Sequence, residues 1–305
     1  MGELGNTYMS MNRPDLAKPL YRRVHERRRR LSGMSHPISI SPLSDLANSY
    51  DLQGKTAQAL DLYLQAVEAG SNDLYHNVVP VLNLDSLYAK LGEFEKAGQY
   101  LTKARKVAEE SMNEEYPVRL NILDGVGGLY RDMGRFKEAG ELLQQVWQVR
   151  QRVLGDDSRN TLNSAASLGD LYCTEEKWAE GEKMLLDTLN TQRRVLSDQD
   201  RFTQRTMANL SLCYLRQHKF QEAEPWAARF VEVRRSTPTP QTPTPQTEDA
   251  LMVLADVRLH SGMAARADSL LDEACPLSPA ASPADGRASY CQVLRGMSLA
   301  RAKLF

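Results

Sequence analysis

Leu168-Gly169-Asp170-Leu171-Tyr172-Cys173-Thr174-Glu175-Glu176-Lys177-Trp178-Ala179-Glu180-Gly181 is followed 42 residues later by Leu210-Ser211-Leu212-Cys213-Tyr214-Leu215-Arg216-Gln217-His218-Lys219-Phe220-Gln221-Glu222-Ala223. In both stretches an aliphatic residue stands four before a tyrosine, and a small residue stands nine after it. The pattern extends backwards through Val126/Tyr130, Leu84/Tyr88, Leu46/Tyr50 and Leu4/Tyr8, with successive tyrosines 42, 38, 42, 42 and 42 residues apart along the chain. A period of this length signals stacked supersecondary units. The small residues are Ala17, Ala59, Ala97, Ala139, Gly181, Ala223 and, once more, Ala267. Four residues after each tyrosine comes a punctuation point, Asn12, Gly54, Gly92, Gly134, Glu176, His218 and finally Gly262. Gly and Asn suit a helix C-terminus because φ > 0 costs them little. Each repeat therefore reads helix, tight turn, helix: Leu and Tyr share one helical face, and the small residue lets the second helix approach the first.

The 305 residues are 42% hydrophobic and 25% charged, an ordinary globular composition that can bury a core. A formal net charge of −1 supplies no global field toward nucleic acid or an anionic membrane. No apolar run approaches the roughly 20 residues that span a bilayer, and the N-terminus lacks the order of a signal peptide. A cytoplasmic protein is the expectation. Cys173, Cys213, Cys275 and Cys291 show no C-x-x-C spacing; the first two flank repeat tyrosines, where they read as small buried hydrophobes with reduced thiols. The start Met1-Gly2 does not continue into a myristoylation signal.

Six repeats are expected over residues 1–235, the first lacking its initial turn. Thr237-Pro238-Thr239-Pro240-Gln241 and its copy through Gln246 predict a non-helical linker over 236–247, because each Pro removes a donor and pushes its predecessor toward extended backbone. Residues 248–275 form a degenerate seventh repeat with Arg258 in place of the tyrosine. Residues 276–305 read as a second linker plus an incomplete eighth repeat, since Arg295–Phe305 echoes Ser261–Leu271. The chain reads as a fragment of a longer array.

The tyrosine, glycine and alanine markers, with Phe94, Phe136, Trp178 and Phe220 six after the tyrosine, resemble tetratricopeptide repeats. The joining segments Arg150-Gln151-Arg152-Val153-Leu154-Gly155-Asp156-Asp157 and Gln192-Arg193-Arg194-Val195-Leu196-Ser197-Asp198 are similar to those of the 42-residue, kinesin-light-chain-like type, also found in bacterial arrays. The resemblance implies an all-α, right-handed superhelical α-solenoid whose first helices line a concave groove that binds a peptide or a partner helix. In that family the positions five, two and nine before the tyrosine face the groove. Here they are Asp45, Asn83, Gly125, Ser167 and Asn209, then Asn6, Asn48, Ser86, Gly128, Asp170 and Leu212, and lastly Asn121, Asn163 and Arg205. Asn side chains both donate to and accept from a peptide backbone, which favours affinity without a fixed ligand sequence. These positions do not assemble the family's carboxylate clamp, which argues against a C-terminal carboxylate ligand.

Other motifs have plainer readings. Gly54-Lys55-Thr56 lacks the upstream glycine of a phosphate loop, and it sits in a turn between helices. The glycines at 125, 127 and 128 lie in a first helix, where they either weaken the repeat or let a ligand backbone come close. Arg22–Arg30 is the strongest basic run, and equivalents at Arg150/Arg152, Arg193/Arg194 and Arg234/Arg235 mark an Arg-rich helix end favoured by the dipole. The five histidines are scattered, with no metal or nucleophile constellation, so no cofactor, metal or catalytic residue is assigned. The function expected is a scaffold with a protein or peptide partner, and not a nucleic acid, a membrane or a small-molecule substrate. The alternative is a regulatory or substrate-recruiting arm of a larger enzyme, such as a bacterial serine/threonine protein kinase.

Overall fold

The computed structural model describes residues 1–10, 13–70, 78–236, 245–275 and 286–302. Those residues form fifteen α-helices and no strand. Repeat one is α1 (Gly2–Ser10) with α2 (Pro14–Ser32), repeat two α3 (Pro37–Asp51) with α4 (Thr56–Ala69), and repeat three α5 (Val78–Lys90) with α6 (Phe94–Ser111). Then come α7 (Pro117–Asp132) with α8 (Phe136–Leu154), α9 (Arg159–Thr174) with α10 (Trp178–Val195), and α11 (Arg201–Arg216) with α12 (Phe220–Ser236). The seventh repeat is α13 (Pro245–His260) with α14 (Ala264–Ala274), and α15 (Gly286–Ala302) follows. The Thr-Pro copies at 237–244 and the segment 276–285 lie outside the described residues, as does Asn12. Helix α13 starts at Pro245, inside the span read as linker, because a proline fits the first helical position, where its missing N–H has no partner to lose. Helix α15 runs unbroken through Gly296, where the echo of repeat seven places a turn.

The chain divides into two compact bodies, one comprising Met1–Met133 and the other Gly134–Thr237 with the residues from Gln246 onward. In the first, helices α1 through α7 pack in order, and the first helices also touch directly, α3 on α5 and α5 on α7. In the second, α8 through α12 pack in order, α9 touches α11, and α14 packs on α15. The two helix types bury different amounts of surface. Helix α8 buries one stripe, Ala139, Leu142, Leu143, Val146, Val149 and Arg150, as an amphipathic helix does. Helix α9 buries nine of its sixteen residues, because it is covered from several sides.

Both sequence markers have the roles expected of them. Ala17, Ala59, Ala97, Ala139, Ala223 and Ala267 are all 0% exposed, so each crossing leaves room for a methyl group and no more. Gly181 sits at a crossing with no room for a methyl group: a Cβ there would lie 2.5 Å from Cys173 Sγ and 2.9 Å from the Cys173 backbone nitrogen. The punctuation residues Gly54, Gly92, Gly134, Glu176, His218 and Gly262 all have positive φ. This backbone lets the next residue's N–H return to the tyrosine carbonyl, as Lys55 does to Tyr50, Glu93 to Tyr88, Lys177 to Tyr172 and Lys219 to Tyr214. This is the Schellman closure, and it satisfies a carbonyl that the helix end leaves open. Glu176 and His218 adopt the same left-handed backbone without glycine's freedom, at a cost of roughly 1 kcal/mol each.

One core position breaks the pattern. Three residues before the repeat tyrosine stand Gly5, Ala47, Gly127, Gly169 and Ser211, but repeat three places Asp85 there. Asp85 is 7% exposed and its Oδ1 has no hydrogen-bond partner. Burial, helped by the nearby Asp132 charge, pushes its carboxyl up to about 7. A carboxyl raised in the fold holds a proton that the unfolded chain releases, so its contribution is intact below about pH 4 and is lost as pH rises toward 7. Asp85→Ala should therefore raise stability at pH 8 by on the order of 2 kcal/mol and flatten the decline between pH 5 and pH 8. Urea unfolding at the two pH values checks this, and an unchanged slope refutes it. Separately, Glu176→Gly should stabilise the second body by about 0.5–1 kcal/mol through relief of the left-handed backbone. A variant no more resistant to urea than the parent would contradict that.

Candidate functional site

Apart from the largely exposed α1, the first helices of the repeats up to α11 are mostly buried and leave one polar stripe open. On α9 the residues left open include Arg159, Asn163, Ser167 and Asp170, which follow one another at helical spacing along a single face. On α11 the matching row is Arg201, Arg205, Asn209 and Leu212. In the first body, Asp45 and Asn48 on α3, Asn83 and Ser86 on α5, and Asn121, Gly125 and Gly128 on α7 occupy the same positions, and none is buried. Asn6 on α1 is exposed as well. Because α3 touches α5, α5 touches α7 and α9 touches α11, the stripes of each body are contiguous.

Several stripe residues already hold partners. Asn83 Nδ2 donates to Ser44 Oγ at 3.3 Å, and Asn6 Oδ1 accepts from the Tyr21 hydroxyl at 2.7 Å. Arg205 donates to Asn163 Oδ1 at 2.5 Å and to Ser167 Oγ at 3.4 Å, tying α11 to α9. Partial desolvation of the half-buried Asp45 pushes its carboxyl up to about 6, with the Arg28 charge opposing. Gly125 does not open space for a ligand backbone: a Cβ there would meet Leu82 Cδ2 at 2.9 Å, so the glycine admits a leucine from α5. Gly128 has nothing within 4 Å of its Cβ direction and is the open one of the pair.

Sequence reading missed the N-terminal end of this stripe. The guanidinium carbons of Arg159, Arg201 and Arg205 lie 4.4, 4.7 and 5.5 Å from the centre of the Phe202 ring. Asp200 caps α11, its Oδ1 accepting from the Phe202 N–H at 2.8 Å while its Oδ2 pairs with Arg159 at 2.8 Å. Arg201 is solvent-accessible, yet its guanidinium lies partly desolvated against the ring. That desolvation and then the Arg159 charge lower its pKa from the ordinary value, while Asp200 opposes. The legible signal was that Arg159 and Arg201 stand one repeat apart, each at the first position of a first helix.

The Arg-rich helix ends are largely structural. Arg22 donates to the Tyr50 hydroxyl and Arg28 to the Ile38 carbonyl. The buried Arg150 reaches Ser164, Arg193 pairs with Asp198, and Arg234 donates to Gln204. The cysteines correct the sequence expectation of separate thiols. Cys173 and Cys213 form a disulfide between α9 and α11 with Cα atoms 5.5 Å apart, and Cys275 pairs with Cys291. A separation of 40 residues in an array of this period brings the first two onto touching helices, which a search for short C-x-x-C spacing does not see. Among the described residues no helix is long and apolar enough to cross a membrane.

Two family models together match residues 1–284. The model of the MalT-like TPR region matches residues 30–284, and a tetratricopeptide repeat model matches residues 1–38. The chain belongs to the tetratricopeptide repeat family. Similar solved structures include a Podosopora anserina putative kinesin light chain with nearly identical TPR-like repeats, at 22% identity and TM-score 0.50 over 67% of this chain and 99% of that one. BtubC (BKLC) from P. vanneervenii matches at 16% identity and TM-score 0.52 over 81% of this chain and 91% of its own. NprR in complex with its cognate peptide NprX matches at 13% identity and TM-score 0.64 over 88% and 74%. No curated protein sequence matches. Tetratricopeptide repeat proteins generally mediate protein–protein interactions, typically as non-enzymatic scaffolds.

Thiol titration checks the cysteine pairing. Full-length protein unfolded without reductant should show no reactive thiol, and prior reduction should release all four. Thiols reactive before reduction would refute it.

Proposed function

We propose that this protein is a scaffold that holds an extended peptide or a partner helix along the open stripe of its first helices. The observation that carries this reading is the chemistry of the stripes: each first helix from α3 to α11 places one asparagine on its open face, Asn48, Asn83 and Asn121 in the first body and Asn163 and Asn209 in the second. An amide side chain offers a donor and an acceptor together, which matches the alternating N–H and C=O groups of an extended backbone. Asn209 lies one turn beyond Arg205, and Asp45, Asp170 and Asn6 extend the polar row within their own bodies. A relative of the same fold, NprR, is solved with a bound peptide, which supports the same use here. No catalytic role is assigned. Paired cysteines belong to oxidising compartments, so the thiol titration also bears on the cytoplasmic location expected from the sequence.

Asn209→Ala for a peptide held on the second body, or Asn83→Ala for one held on the first, should weaken binding by about two- to tenfold, a lost hydrogen bond being worth roughly 0.5–1.5 kcal/mol. The helical circular dichroism spectrum should stay unchanged. A ligand selected from a peptide library, titrated calorimetrically against both proteins, checks this; equal affinities would remove the amide row from the binding site.

A further inference from the structure

We propose that Arg159, Arg201 and Arg205, gathered round Phe202, form an anion-binding subsite that takes an Asp or Glu side chain of the bound peptide. This rests on the peptide-binding reading above and adds the ligand's chemistry to it. The three guanidiniums come from two touching first helices, and all three belong to the open stripe. Their common ring holds them in place: cations lie favourably over an aromatic face, and Arg205 is tied down further by Asn163 and Ser167. Held this way, a guanidinium keeps outward N–H groups in a fixed fork, which suits a carboxylate better than a mobile ammonium does.

Both oxygens of Asp200 are taken, one by Arg159 and the other by the Phe202 amide. Among the described residues Arg201 makes no ion pair, and solvent reaches it. Asp200 thus acts as an internal stand-in for part of an anionic ligand, while Arg201 is left to receive one. The cationic zone is also short, since Asp170 lies farther along the same face of α9. That size fits one acidic side chain of a peptide and does not fit the extended phosphate track of a nucleic acid.

The test is selection of random octapeptides displayed on phage against the full chain, run in parallel on Arg201→Gln, Arg159→Gln and Asp200→Asn. Asn remains a good helix cap, so Asp200→Asn removes the competing charge without uncapping α11. Peptides selected on the parent should carry Asp or Glu at one fixed position. Arg201→Gln and Arg159→Gln should each bind those peptides about tenfold more weakly, and Asp200→Asn should bind them more tightly. Replacing the acidic residue by Gln or Asn should remove most of the difference between the variants. A control pair on α2, Arg27→Gln with Arg30→Gln, should leave affinity unchanged. If selected peptides show no acidic position yet still lose affinity on Asn209→Ala, the anion-binding subsite falls and the peptide face stands. If no peptide is selected, both fall. If the α2 control weakens binding as much as Arg201→Gln, the effect is general charge attraction and the subsite is refuted.

Discussion

The close crossing of paired helices at a residue no larger than alanine governs the rest of this molecule. When the second helix lies that near, the first helix is covered from several sides, and the alternation of a thoroughly buried helix with an amphipathic one follows. The crossing in turn depends on a turn short enough to return the chain at once. The left-handed residue and the bond back to the tyrosine carbonyl supply that turn in each repeat where it is seen. The repeat tyrosine therefore has two roles, as a packing side chain and as the carbonyl that closes its own helix.

Function follows from what this packing leaves uncovered. A first helix enclosed by its own second helix and by neighbouring repeats keeps one open stripe, and touching first helices place stripe beside stripe. Side chains there face solvent, although Asn6, Asn83, Asn163 and Arg205 also bond within the protein. They are amides and acids in the first body, and amides joined by an arginine cluster at the start of α11 in the second. The Cys173–Cys213 disulfide ties α9 to α11 near their C-terminal ends, opposite the end that carries the arginines.

Local rules are broken at a few places, and the consequences differ. Glu176 and His218 take backbone suited to glycine, a small cost that the rest of the repeat absorbs. Asp85 occupies a slot that the other repeats fill with Gly, Ala or Ser, and it has an unpartnered oxygen and a carboxyl raised by burial. Gly181 answers the opposite demand: the sulfur of Cys173 fills the space where other repeats keep an alanine methyl.

The sequence by itself determined the helix pairs, the turns and the tight crossings, because each depends on residues within a dozen positions of a tyrosine. Leu168, Tyr172, Glu176 and Gly181 declare their repeat without reference to any other. The open stripe was legible in the same way, since helical periodicity places Asn163, Ser167 and Asp170 on one face. What the stripe residues touch was not legible. The bonds from Asn83 to Ser44 and from Arg205 to Asn163, the Cys173–Cys213 pair, the leucine filling the space at Gly125 and the arginines meeting over Phe202 all join different repeats. They depend on how one helix slides and rotates against its neighbour, and that register is decided by packing volumes summed over many side chains. Periodicity names the face of a helix; only the tertiary structure decides what lies opposite it.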